Sequence, residues 1–248
     1  MIHYLTTATT TDEEHRNASV AVLPVGSCEQ HGPYLPLITD TLVACALTSQ
    51  IAETYPVLAL PPVTITCSHE HSGWPGTVSI SARTLYDLID DIYASVTRPG
   101  APSALVVVYA HGGNDVLRNI VQEHSAAGHL AGLYPARQDW DDARRAAGLE
   151  STGHEDMHAG EMETSILLHA CPEVVRDGYQ QADWTADDRR DLPSVGMRGY
   201  TESGIIGRPS LGSAVKGKAA LDALVAGFAR MLTMPSARDA RPQAPRRH

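Results

Sequence analysis

Leu105-Val106-Val107-Val108-Tyr109 is an apolar run with no polar alternation. A strand with one wet face alternates, so an unbroken run of this kind belongs in the middle of a parallel sheet with helices on both faces. Val20 to Val25 reads the same way, and Val57 to Leu60 and Leu130 to Tyr134 are shorter versions. Helical patterns separate them. One covers Thr41 to Tyr55, and another Ala82 to Val96, with Leu85, Leu88, Ile89 and Ile92 on one face. A third is capped by Asn114 and runs to about Gly128. A fourth covers Met162 to Cys171, where Pro172 stops it, and a closing helix covers Lys216 to Leu232. Gln138 to His154 is charged and shows no clear pattern, and residues 173 to 212 look loop-rich. The chain carries no internal repeat. The alternation predicts an α/β fold, three-layer α/β/α with a mostly parallel central sheet. It fits one domain over residues 1–235, with an arginine-rich tail at 236–248 read as disordered.

A formal net charge of −10 argues against nucleic acid and anionic membranes as main partners. No apolar run approaches the roughly 20 residues that span a bilayer, and Met1-Ile2-His3-Tyr4 has no secretory pattern. Cys28, Cys45, Cys67 and Cys171 show no paired spacing, which suits reduced thiols and a cytoplasmic chain. Cys28 adjoins Glu29 but reads as a bystander.

The chemistry gathers at strand ends. Glu29-Gln30-His31 follows the first apolar run, and Asp40 lies nine residues beyond His31 at the start of the next helix. In extended backbone Glu29 and His31 point to one side. His111, followed by Gly112 and Gly113, leaves the central run. Strand ends at one edge of a parallel sheet converge in space, which is where such sheets build sites. Carboxylates and imidazoles together suit a divalent ion such as zinc or manganese. Asp40, with two oxygens, can bridge a pair of cations. In the helix after His158, Glu163 shares the face of Ile166 and Leu167. A buried carboxylate there needs a cation or donors. Glu161 falls on the other side, nearer Ser165, and is left to support the ligands or face substrate. His3, His15, His124, His129, His169 and His248 have no such placement and read as surface or satisfied core residues.

At these residues the sequence resembles the creatininase family of amidohydrolases. Leu23-Pro24-Val25-Gly26-Ser27-Cys28-Glu29-Gln30-His31-Gly32-Pro33 with Thr39-Asp40 is similar to its first motif. Glu70-His71 with Trp74-Pro75-Gly76-Thr77, His111-Gly112-Gly113-Asn114, and His158-Ala159-Gly160-Glu161-Met162-Glu163-Thr164-Ser165 are similar to the next three. The resemblance implies two divalent metal ions, zinc, manganese or iron, held by Glu29, His31, Asp40 and His111, with Asp40 as the bridge. In creatininase a metal-binding glutamate stands two residues after the third-motif histidine. Gly113 occupies that position here, so another carboxylate is needed, Glu163 or Glu161. His158 matches a proton-shuttling histidine. His71 and Trp74 are placed near substrate, with His71 a candidate oxyanion donor. The resemblance also suggests a homo-oligomer.

The implied reaction is hydrolysis of a C–N bond in a small molecule by metal-activated hydroxide. Loss of the third-motif glutamate turns attention from creatinine to a related cyclic amide or lactam. Two alternatives are a peptidase acting on a small modified peptide, which the stretch Gly204 to Pro209 favours by its likeness to mycofactocin-associated members, and a formamide deformylase. A catalytically silent scaffold is disfavoured, because such a fold has no need for five polar residues at one site.

Overall fold

A computed structural model describes residues 5–98 and 100–233. The N-terminal four residues, His248 and the tail read as disordered lie outside the described residues. In chain order the elements are α1 (Thr10–Arg16), β1 (Val20–Val25), α2 (Thr39–Thr54), β2 (Leu58–Ala59), α3 (Ala82–Val96), β3 (Ala104–Tyr109), α4 (Val116–Ala126), β4 (Leu130–Tyr134), α5 (Arg137–Ala147), α6 (Glu161–Ala170), α7 (Leu192–Val195) and α8 (Ala214–Leu232). Short 3-10 turns join them, one of which is His69–His71.

The strands form a four-stranded sheet in the order β2-β1-β3-β4, and every pairing is parallel. The unbroken apolar runs are explained by their neighbours. Alternate residues of β1 feed two separate cores. Val20 and Val22 pack with Leu47, Ile51, Ile166, Leu167, Leu221 and Phe228 from α2, α6 and α8. Ala21, Leu23 and Val25 pack with Leu85, Ile89, Leu117 and Ile120 from α3 and α4. Full burial of a Leu or Ile side chain contributes about 1.5–3 kcal/mol, so both faces of β1 work for stability.

Register positions the site. Val25 at the end of β1 lies opposite Tyr109 at the end of β3. The segments that follow, Gly26 to His31 and Ala110 to Gly113, therefore leave the sheet side by side. A Cβ on Gly26 would lie 2.3 Å from the Thr41 backbone. Its absence lets the start of α2 press against the strand end and bring Asp40 in.

The structure departs from the sequence reading in three places. α1 and α5 form where the chain is polar. Their helical pattern is capping and charge rather than a long apolar face: Thr9 caps α1 and closes a box with Asp12. The N-cap of α4 is Asp115, not Asn114. Asn114 instead accepts from the Cys67 amide at 3.1 Å and donates to the Gly26 carbonyl at 3.2 Å, bolting three loops together beneath the site. The strand after Pro56 shrinks to Leu58–Ala59.

Candidate metal centre

His31, Glu29, Asp40, His111, His71 and His158 come together at the sheet's carboxyl edge, all buried. His31 Nδ1 lies 3.1 Å from its neighbour carbonyl, Glu29 O, so it donates there and leaves Nε2 with a lone pair. That nitrogen faces Asp40 Oδ1 at 3.2 Å and Glu163 Oε2 at 3.8 Å. His158 Nε2 is held by Gln30 O at 2.7 Å, which turns Nδ1 toward Glu29 Oε1 at 3.8 Å. His111 Nε2 lies 2.8 Å from Cys67 O and 3.1 Å from Glu29 Oε2, and its Nδ1 lies 3.2 Å from Asp40 Oδ2. A ring nitrogen fixed by a backbone carbonyl, with the other aimed at carboxylates, is how imidazoles are arranged around metals.

The donor set fits two cations. Three groupings have ligand atoms mutually within 4.8 Å: Glu29, Asp40 and His111; His31, Asp40 and Glu163; and Glu29, His31 and His158. Asp40 belongs to the first two, as a bridge must. Both oxygens of Glu29 are buried without a hydrogen-bond partner. An ionised carboxylate so placed is costly unless a cation meets it.

The charge pattern of the chain by itself points the same way. Burial opposes a charge on His31, but Asp40 overrides it and pushes the imidazole up to about 9. Burial also works against ionised Asp40, yet His31 and His111 hold it well below the usual carboxylate range. Burial lifts Glu29 and pushes Glu163 up to about 7. His71 is pushed down to about 3 by burial and by the neighbouring His111 and His31. His158 is held well below its ordinary value, again by burial first and then by His31 and His71. Protons and dications compete for one set of atoms.

Asp40, His111, His158 and Glu163 line an open cavity of about 750 Å³, with Glu70, His154 and Arg189 on its walls. A second cavity of about 570 Å³ shares Ala110, Gly112, His154, Met157, Glu163 and Arg189 with it. Glu163 is partly exposed to this space. Glu161 is not: it is fully buried, held by Lys216, and does not line the cavity. Trp74 also stands elsewhere. Its ring lies under the Arg198 guanidinium, 4.5 Å away, and it does not line the cavity. His71 sits at Glu29, with Nε2 3.3 Å from Oε1, rather than on the cavity wall.

Two residues escaped the sequence reading. Gln30 was placed between two ligands and, in extended backbone, faces away from them. The chain turns after Glu29, and the Gln30 amide reaches His71 Nδ1 at 2.9 Å and Gly204 O at 3.1 Å. Glu70 stood beside His71 in the second motif but was given no role. Its Oε1 lies 3.4 Å from His111 Nε2.

A family model described as creatinine amidohydrolase matches residues 4–232. The chain is 34% identical over 230 residues to a mycofactocin precursor peptide peptidase of Mycolicibacterium smegmatis, covering 89% of this chain and 87% of that protein. It is 31% identical over 176 residues to a creatinine amidohydrolase of Pseudomonas putida, covering 63% and 66%. A solved creatininase superposes with a TM-score of 0.75 at 22% identity, covering 96% and 97%, and related structures are described as Mn and Zn–Zn types. The chain belongs to the creatininase family and is a metal-dependent amidohydrolase acting on C–N bonds.

Proposed function

We propose that this chain hydrolyses a C–N bond in a small peptide at a centre for two divalent cations, zinc or manganese. What carries the two-cation reading is Asp40, whose oxygens face His31 at 3.2 Å on one side and His111 at 3.2 Å on the other. Bound there, such ions supply Lewis acidity and a water acidic enough to attack near neutral pH. Glu29, Asp40 and His111 would hold one, and His31, Asp40 and Glu163 would hold the other.

The remaining side chains set geometry and move protons. His158 reaches the cavity wall with Nε2 fixed by Gln30 O, so Nδ1 is free to take a proton and deliver it to the leaving nitrogen. Its depressed basicity keeps it neutral, ready to accept. His71 accepts from the Gln30 amide at Nδ1, which turns Nε2 toward Glu29 Oε1 at 3.3 Å. We assign it to orienting Glu29, in place of the oxyanion role the sequence suggested.

Three observations support a peptide over the cyclic amide that the sequence reading put first. The two adjoining cavities, about 750 and 570 Å³, offer room for an extended substrate rather than one small ring. The relative of highest identity given above is a peptide peptidase. Arg189 borders both cavities. Its guanidinium donates to His154 O at 2.7 Å and to Ala186 O, and it has no carboxylate within salt-bridge distance among the described residues. It suits the carboxylate of a peptide end.

The cyclic amide stays as a second reading on the likeness to the Pseudomonas creatinine amidohydrolase. Metal-loaded protein is to be incubated with short peptides carrying free or amidated C-termini, with lactams and cyclic ureas, and with formamides, and products read by mass spectrometry. Cleavage of free-ended peptides is expected. Turnover of lactams or formamides alone would overturn the peptide reading.

A further inference from the structure

We infer that the second cavity is a subsite for an acidic side chain of the substrate, recognised by Arg118. The inference rests on the peptide reading above and adds a charge preference to it. This cavity, of about 570 Å³, shares the walls Ala110, Gly112 and Glu163 with the larger one. Tyr109 lines it and stands two residues before His111 in the chain. Two residues span at most about 7 Å. A peptide with its scissile bond at His111 therefore reaches the cavity with a side chain one or two positions away.

The charges on the walls decide what the cavity takes. The chain has a formal net charge of −10, yet four arginines line this one space, Arg118, Arg137, Arg144 and Arg189. Three of them have work already. Arg144 is locked to Asp156 at 2.8 Å, and Asp156 also accepts the Met162 amide at 2.9 Å, so that pair is wall. Arg137 faces Asp141 at 4.0 Å. Arg189 is assigned above to a terminal carboxylate. Glu163, the remaining acid of the lining, belongs to the metal centre.

Arg118 is left over. It makes no hydrogen bond and has no carboxylate within salt-bridge distance among the described residues. The Tyr109 hydroxyl likewise meets no partner among them. Burial pushes its pKa up, against the pull of Arg118, so the phenol stays a donor. A planar guanidinium with a phenol O–H beside it suits a carboxylate. Beneath them, buried Val43, Met162 and Ile166 give the methylene stem of a glutamate apolar contact.

Metal-loaded parent, Arg118→Gln and Arg118→Glu are to be given free-ended, alanine-based hexapeptides in which a single Glu, Gln, Leu or Lys is moved through every position. Products are read by mass spectrometry, and kcat/KM is measured for each peptide. Melting curves check folding, since a substitution at this exposed helix position is expected to change stability little. In the parent, Glu at one position near the cut is expected to raise kcat/KM about tenfold over Gln, the scale of one charge-assisted contact, chiefly through KM. Arg118→Gln is expected to bring Glu and Gln to parity at that position, and Arg118→Glu to turn the preference to Lys. Equal rates for Glu and Gln at every position in the parent would overturn the subsite. So would a preference for Leu over both, or a Glu preference that survives in Arg118→Gln. An equal loss on all peptides in both variants would make Arg118 structural and overturn it too. Cleavage of no peptide at all would instead overturn the peptide reading, and the subsite with it.

Discussion

Lys216 Nζ donates to Glu161 Oε1 at 2.6 Å, and this contact takes Glu161 out of the metal centre. The same carboxylate accepts the amides of Ser151 at 2.8 Å and Glu150 at 3.1 Å. Two glutamates two residues apart in α6 therefore have different work: Glu161 ties α6 to α8 and the 150–151 loop, and Glu163 faces the cavity. Glu161→Gln is expected to cost about 3 kcal/mol, the scale for breaking one side of a buried pair, and to leave metal content unchanged. Glu163→Gln is expected to melt with the parent after chelation and to lose metal. Thermal unfolding and metal analysis of both variants check this division, and the opposite pattern would refute it.

His158→Ala is expected to keep its metal and lose turnover by about 10²–10⁴-fold, the usual worth of a positioned acid–base group. Steady-state kinetics on the peptide found in the substrate panel, with metal content of the same sample, provide the check. Loss of metal in this variant would make His158 a ligand, in keeping with its place beside Glu29 and His31.

Gly204 acts on the site at long range. It sits at φ +92°, and a Cβ would lie 1.7 Å from Gln30 Oε1. Gly204→Ala must strain the backbone and displace the amide that holds His71. A cost of about 1–3 kcal/mol is expected, together with reduced turnover although residue 204 touches no ligand. Unfolding curves and kinetics test both parts.

On the far face of the sheet, the His124 ring lies tilted against Tyr93, centroids 4.1 Å apart. Its Nε2 is 3.2 Å from Asp90, and its Nδ1 is 3.1 Å from His129 Nδ1. Burial holds its pKa below the ordinary value, against the pull of Asp90 and with the push of His129. A histidine depressed in the folded chain takes its proton more readily unfolded. Its stability contribution is therefore complete above about pH 6.5 and declines as pH falls toward the folded value. His124→Gln is expected to flatten the fall in stability between pH 7 and 5 relative to the parent. Parallel slopes by denaturant titration would contradict this.

The layers and the strand ends were legible because burial on two faces forces unbroken apolar runs, and β1 and β3 have no other reading. α3 matches its sequence pattern from Ala82 to Val96 because one face is cleanly apolar. α5 was hidden because only Ala143 is fully buried and most of its other residues are charged. Within the site, Glu29, His31, Asp40 and His111 could be pooled from strand-end position alone. Glu161 and Glu163 could not be sorted by periodicity, because α6 is buried on more than one face and Lys216, which claims Glu161, comes from a distant helix. Trp74 resembled a substrate contact by its motif, yet Arg198 covers its ring.

The central claim is that one carboxylate, Asp40, is shared by two cations. The direct measurement is metal per chain in the parent and in Asp40→Asn, after stripping and reloading with zinc or manganese, with the stripped proteins melting alike. The parent is expected to hold about two ions, and Asp40→Asn to lose both together, since each position loses a ligand. Two ions retained in Asp40→Asn, or a clean loss of only one with the other bound as tightly as before, would contradict the shared bridge.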